Sequence, residues 1–328
     1  MINEIDYQVK VLLNSLLSEK DVIISYRNSG TPMINTPAFI DNSALIDSIS
    51  IDNFCSNNLS IYLSKFSQTE TGIDKKNKII ITAKPCDLKG IIQQISDEQI
   101  DNSKLSIISY ECDGIIDIEK LRKITKSDIR HVESDDKTVK YTTLDGATGE
   151  VDLISVLRDK CHEGNCRLPY LYDYLFIGNE KRFNEKIEKI TYPDKTNYQI
   201  TLNREDLYNL MDKELSKCIR CNACRNICHA CFCSDRCIFD KPKLPVGFID
   251  RESDKSQNIL YHLIRFNHVF PNCTGCGECE RVCPQGIKLS IFYKYLNETI
   301  KNEFGYIPGK TDSDKQPLLS YRLGEELI

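Results

Sequence analysis

The sequence of 328 residues predicts two architectures in one chain: an α/β N-terminal domain with a mainly parallel sheet, and a smaller C-terminal domain organised by cysteines. Three observations predict this. First, "KIIITAKPCDLKGIIQQI" followed by "KLSIISYEC" reads as strand, helix and strand within about 35 residues, a parallel βαβ unit. Second, eleven of the sixteen cysteines fall between residues 218 and 283. Third, the polar, turn-rich stretch "TYPDKTNYQITLN" separates the two regions and places a boundary near 195 to 203. The expected organisation is residues 1–200 as the α/β domain, 201–308 as the cysteine domain and 309–328 as a C-terminal surface arm.

Each element follows from its residues. The first 20 residues place Ile5, Val9, Leu12, Leu13, Leu16 and Leu17 near helical spacing. "VIISYR" (22–27) reads as a strand, and "SALIDSI" and "LSIYLSKF" are less regular. The run 78–84 is apolar, β-branched and bounded by charge, as expected of a buried strand. Pro85 stops it, and Asp87 can cap a helix over 88–95. Leu105 to Glu111 is the second strand. Parallel strands put Cys86 and Cys112, each just past its strand, at the same carboxyl edge, where ligands bind in open α/β sheets. Neighbouring strands lie only ~5 Å apart. A helix N-terminus at Cys86 favours a thiolate. "TVKYTTLDGATGEVDLI" reads as a hairpin turning at Asp145-Gly146, followed by a helix over 150–160 that runs into "CHEGNCRLP". "YLFIG" is a further strand, and "NREDLYNLMDKELSKC" a helix that delivers the chain to Cys218.

Composition narrows the function. Hydrophobic residues make up 41% and charged residues 28%, which is ordinary for a globular chain. A net charge of −5 leaves no excess of Lys and Arg for a nucleic-acid backbone. No segment approaches the ~18 apolar residues that span a membrane. "MINEIDYQVK" lacks the basic and apolar regions of a signal peptide, so a cytoplasmic location is expected. Disulfides are rare there, and sixteen cysteines then point to metal or redox chemistry.

The cysteine spacing selects among metals. "CTGCGECERVCP" sets Cys273, Cys276, Cys279 and Cys283 at intervals of two, two and three, with Pro284 following. This is the bacterial ferredoxin run, in which the fourth cysteine ligates the other cluster. "CIRCNACRNIC" repeats the intervals at Cys218, Cys221, Cys224 and Cys228. The prediction is therefore a two-[4Fe-4S] ferredoxin-like domain with crossed ligands: Cys218, Cys221, Cys224 and Cys283 on one cluster; Cys273, Cys276, Cys279 and Cys228 on the other. Gly275 and Gly277 permit the tight loop. Paired Cys-x2-Cys elements also bind zinc, but a closed zinc tetrahedron does not call for a three-then-one pattern repeated twice.

Two features depart from the plain pattern. His229 stands where proline usually follows the fourth cysteine, as a ligand or as a surface or sulfur-bonding residue. A 44-residue insertion separates Cys228 from Cys273 and contains Cys231, Cys233 and Cys237. The α/β region adds Cys55, which fits a small buried hydrophobe, and Cys86, Cys112, Cys161 and Cys166, which suggest a third metal site. Cys231, Cys233 and Cys237 suggest a fourth, with one ligand from elsewhere. Arg220, Arg225 and Arg236 around the first run, and Glu278 and Glu280 in the second, read individually as solvated loop charges. No Ser-His-Asp set, phosphate loop or acid/base carboxylate pair stands out.

"AKPCDLKGI", "CHEGNCRLP", "CIRCNACRNIC", "CTGCGECERVCP" and "EFGYIPG" occur in one order over roughly residues 1–308. In this the chain resembles the beta-subunit family of deazaflavin (coenzyme F420) hydrogenases and formate dehydrogenases, more closely the bacterial iron–sulfur members beside heterodisulfide-reductase-like complexes. The resemblance implies an electron-transfer subunit of an anaerobic oxidoreductase complex, partnered by dehydrogenase, hydrogenase or heterodisulfide-reductase-like subunits. It also implies Cys86 in "KPCD" as a site residue, and FAD in some members, although no Gly-x-Gly-x-x-Gly fingerprint is present. Two alternatives stand beside it: a self-contained flavin–iron–sulfur oxidoreductase reducing a deazaflavin or nicotinamide cofactor, and a zinc-stabilised interaction module.

Overall fold

The computed structural model describes residues 4–31, 33–67, 78–135, 137–162, 171–178, 203–233, 237–239, 254–313 and 315–319. Cys166, Arg236 and the boundary segment 195–202 lie outside them. The chain divides into two compact units, one of residues 1–88 and 101–191, the other of residues 89–100 and 192–328.

The first unit carries a mixed, mainly parallel sheet. Helix α1 (Glu4–Leu16) precedes β1 (Val22–Asn28) and β2 (Asn35–Ile40), an antiparallel pair. Helix α2 (Ser60–Ser67), β3 (Ile79–Ala83), α3 (Pro85–Ser96) and β4 (Leu105–Tyr110) follow. β3 runs parallel to both β1 and β4, with Ala83 opposite Ser109 at its carboxyl end. A three-residue strand later in the chain, Tyr174–Phe176, adds to β4 in parallel and closes the five-stranded order. β3 and β4 are buried throughout, which is why they read as unbroken apolar runs. Pro37 sits in β2, at the sheet edge, where a missing N–H is tolerated. Ile5, Val9 and Leu13 of α1 pack on Ile23, Ile80 and Ile108 of the sheet. Each such side chain, fully buried, contributes about 1.5–3 kcal/mol.

Helix α3 starts earlier than its sequence suggests. Pro85 occupies the first helical position, where its fixed φ is favourable and its missing N–H costs nothing. Asp87 is then the third residue and caps in reverse, its carboxylate accepting from the backbone N–H of Lys84 at 3.0 Å.

A separate antiparallel meander follows helix α4 (Ile118–Thr125): β5 (Ile129–Ser134), β6 (Thr138–Thr143) and β7 (Thr148–Asp152). The β6–β7 turn contains Asp145 and Gly146, as expected, with Gly146 at φ +87°. The helix expected over 150–160 does not form. β7 holds its residues in the ladder to Asp152, whose side chain then accepts from Ile154 N and starts a single turn, Leu153–Val156. A second turn, Asp159–His162, carries Cys161.

In the second unit, helices Arg204–Leu215, Lys255–Val269 and Leu289–Phe304 surround the cysteine loops, with Leu215, Phe266, Leu289 and Phe292 in their core. Residues 89–96 of α3 belong here. Gln93 meets Asn272 at 3.3 Å, the Tyr306 hydroxyl at 3.1 Å and the Gly309 N–H at 2.9 Å. Gly309, expected to open a surface arm, is buried instead. A Cβ there would stand 2.3 Å from the Lys89 carbonyl oxygen, so only glycine allows the approach. No helix among the described residues is long and apolar enough to cross a membrane.

Candidate metal centre

The Arg204–Leu215 helix, capped by Asn203, brings the chain to Cys218. Both cysteine loops then follow one backbone course. Arg220 (φ 58°) and Asn222 (φ 61°) in the first correspond to Gly275 (φ 70°) and Gly277 (φ 71°) in the second. After each left-handed pair comes a single helical turn, Ala223–Asn226 or Glu278–Arg281, holding Cys224 or Cys279. Cys228 and Cys283 lie just past these turns.

The loops are pinned from behind. Asn258 Nδ2 donates to the Cys218 carbonyl oxygen at 2.7 Å, and Asn297 Nδ2 does the same to that of Cys273 at 2.7 Å. Each asparagine comes from the long helix beside its loop. These bonds fix the backbone at the first cysteine of each run.

Cys218, Cys221, Cys224 and Cys283 line one hollow, together with Arg220, Tyr261 and His262. It is partly open to solvent. The thiols of Cys228, Cys273 and Cys279 instead lie within electrostatic range of the buried Tyr293 hydroxyl. Among the described residues, no three His, Cys, Asp or Glu side chains close on the space of a single metal ion. The donor set is thiol-rich and partly desolvated. Burial pushes Cys273 up to about 11 and raises Cys218, Cys224 and Cys279 as well. Iron binding to such thiols displaces their protons. Soft sulfur donors around an open hollow fit an iron–sulfur cluster.

The insertion between the runs adds Tyr261 and His262 to the lining. The helix Lys255–Val269 lies wholly within it and presents Asn258, Tyr261, His262 and Arg265, all buried. Arg265 is 0% exposed; its Nη2 donates to the Cys224 carbonyl oxygen at 2.8 Å, while Nε and Nη1 have no partner. Both ring nitrogens of His262 are likewise unpartnered. Burial, with the charges of Arg265 and Arg220, lowers its pKa to about 3, so the imidazole is neutral. The Tyr293 hydroxyl is buried and unpartnered too.

His229 is buried rather than at the surface, its ring near the Asn272 backbone and 3.5 Å from the Thr274 hydroxyl. Glu278 is not a solvated charge either. It is 1% exposed and receives Arg281 through bonds of 3.1, 3.0 and 2.7 Å. Arg220 stacks on the Tyr261 ring at 4.5 Å. Of the insertion cysteines, Cys231 lies against Cys228, Cys237 is buried and Cys233 is exposed.

In the first unit, Cys86 opens α3 and Cys112 follows β4, on the shared sheet edge. Burial pushes the Cys112 thiol up to about 12, with Cys86 and Cys161 adding to the rise. Three of the four cysteines expected at a third site thus lie within electrostatic range of one another. The "KPCD" residues around Cys86 form a buried network. Lys84 Nζ reaches Asp87 Oδ2 at 2.9 Å, the Asn57 carbonyl oxygen at 2.9 Å and the Tyr26 hydroxyl. Burial opposes the Lys84 charge, but Asp87 and nearby groups outweigh it and hold its pKa well above the usual lysine range. Asp87 also accepts from Leu59 N, and Asn58 donates to the Cys86 carbonyl oxygen. Cys55 is fully buried, with a thiol raised by desolvation, as expected of a core residue.

Comparisons with known proteins agree with this chemistry. Residues 214–287 match the 4Fe-4S dicluster domain family. The beta subunit of the F420-dependent formate dehydrogenase of Methanocaldococcus jannaschii is 24% identical, over 95% of this chain and 93% of the relative. That of formate dehydrogenase 1 of Methanococcus maripaludis is 23% identical, over 74% of this chain and 75% of the relative. The F420-reducing [NiFe] hydrogenase complex of Methanosarcina barkeri aligns with a TM-score of 0.39 at 14% identity, over 56% of this chain and 70% of that one, too slight a likeness to build on. Over nearly its whole length the chain is similar to beta subunits of F420-dependent formate dehydrogenases, and it carries a match to a 4Fe-4S dicluster domain, as expected of an iron–sulfur electron-transfer subunit.

Proposed function

We propose that the second unit carries two [4Fe-4S] clusters with crossed ligands: Cys218, Cys221, Cys224 and Cys283 hold one, and Cys273, Cys276, Cys279 and Cys228 the other. The observation that carries this reading is the hollow lined by the first three cysteines of one run and the last of the other. A third cluster sits at the sheet edge of the first unit on Cys86, Cys112 and Cys161, with Cys166 as fourth ligand. Cys231, Cys233 and Cys237 form the weakest group, since Cys233 is exposed and Cys231 lies against Cys228.

In this reading the chain relays single electrons between partner redox centres in a formate dehydrogenase, hydrogenase or heterodisulfide-reductase-like complex. An F420- or FAD-linked acceptor belongs to the family reading; no residue of this chain is assigned to it. The test is iron, acid-labile sulfide, zinc and flavin content of the full chain purified without oxygen. Iron and sulfide in equal amounts, with at least two cluster equivalents per chain, support the relay. Stoichiometric zinc without sulfide overturns it.

A further inference from the structure

Three buried polar side chains lie among the cysteine loops with donor capacity that no protein atom uses: His262, Arg265 and Tyr293. An orphaned buried donor costs about 1–3 kcal/mol, and such groups in native folds have a reason. The fold could have filled these places with apolar side chains, as it does next door with Phe266 and Phe292.

Their placement differs. His262 lines the hollow of Cys218, Cys221, Cys224 and Cys283. The ring offers an N–H donor, and the cysteine sulfurs are acceptors in that hollow beside the Asn222 and Gln285 side chains. The Tyr293 hydroxyl is absent from that lining and lies within electrostatic range of Cys228, Cys273 and Cys279, with which its ring shares a packed cluster. Arg265 stands between them. It is bonded to the Cys224 carbonyl, its guanidinium lies 5.9 Å from the Tyr293 ring centroid and interacts with the Cys231 thiol, and its charge acts on Cys224, Cys228, Cys273 and Cys279 together.

We propose that these three residues set the reduction potentials of the two clusters by a divided arrangement: His262 donates a hydrogen bond to sulfur of the first cluster, Tyr293 to sulfur of the second, and the Arg265 cation favours reduction of both. The inference rests on the crossed ligation above. A thiolate-bound cluster is anionic and gains one negative charge with each electron. A buried cation and N–H or O–H donors to sulfur stabilise the reduced form and raise the potential. The insertion between the cysteine runs is thus a tuning element, since it contributes His262 and Arg265 on one helix.

The experiment is an EPR-monitored potentiometric titration of the anaerobically purified full chain, with iron and sulfide measured for each variant. Arg265→Gln lowers both potentials, by about tenfold in each reduction equilibrium, or about 59 mV for one electron. His262→Phe lowers one potential and Tyr293→Phe the other, each by about two- to tenfold, the range of one net hydrogen bond. His262→Gln, which keeps an N–H, recovers part of the loss. If Arg265→Gln fails to hold its clusters, the two ring variants carry the test, because only separate donors move separate waves.

Intact clusters with unchanged potentials overturn the proposal. So does movement of the same wave by both ring variants. Loss of one cluster's iron in His262→Phe makes that residue a ligand and also overturns it. Wild-type protein with fewer than two [4Fe-4S] signals defeats the ligation reading instead, so the two failures are distinct.

Discussion

The two cysteine loops of the second unit share a backbone but not a means of reaching it. The loop from Cys273 uses Gly275 and Gly277 at the left-handed positions, and the loop from Cys218 uses Arg220 and Asn222. Left-handed backbone costs a side-chain-bearing residue roughly 1–2 kcal/mol, less for asparagine. The first loop accepts that cost with compensation. Arg220 stacks on Tyr261, and the Tyr261 hydroxyl donates to Asn222 Oδ1 at 2.9 Å. Tyr261 sits on the inserted helix. The insertion therefore supports the loop that lacks glycine, and the loop with glycine needs no such support. The same cysteine geometry can be held either by a permissive backbone or by side chains from a neighbouring helix.

Substitutions break or sharpen this comparison. The largest effect comes from equivalent ligands: Cys224→Ser and Cys279→Ser each lower iron and sulfide by one cluster equivalent, read by chemical analysis of anaerobic protein. Next are the two pins. Asn258→Ala and Asn297→Ala each leave a buried carbonyl oxygen without its donor and cost about 1–3 kcal/mol in anaerobic thermal unfolding. A cost from only one of them shows that the loops are not held alike. A Cβ at Gly275 meets no atom within 4 Å, so the cost of Gly275→Ala is backbone strain alone, about 1–2 kcal/mol. At the matching position, Arg220→Ala keeps the strain and loses the stacking, for about 0.5–1 kcal/mol. Arg220→Gly loses the same stacking but relieves the strain, and comes out close to wild type. Equal effects from the Ala and Gly substitutions contradict a strained Arg220.

The sequence disclosed much of this because spacing survives folding. Intervals between cysteines are chemical, and a buried parallel strand such as Ile79–Ala83 needs an unbroken apolar run. The βαβ unit, its register edge and the neighbourhood of Cys86 and Cys112 followed. The helix expected over 150–160 failed because "VDLISVL" has helical spacing in its second half only, and the β6 ladder claimed the first. The tuning residues were missed for a related reason. Asn258, His262 and Arg265 are four and three apart, which places them on one helical face. A polar stripe of that kind normally marks solvent. Here it marks the side facing the cysteine loops, and only the recurrence of Tyr261 and Phe266 among those polar residues hinted that the face is buried.

The crossing of ligands is the claim on which the rest depends, and Mössbauer spectroscopy of single-cysteine variants tests it most directly. Cys283→Ser should perturb the same cluster signal as Cys221→Ser, and Cys228→Ser the same signal as Cys276→Ser. If Cys283→Ser and Cys276→Ser alter one signal together, each run holds its own cluster and the crossed arrangement is wrong.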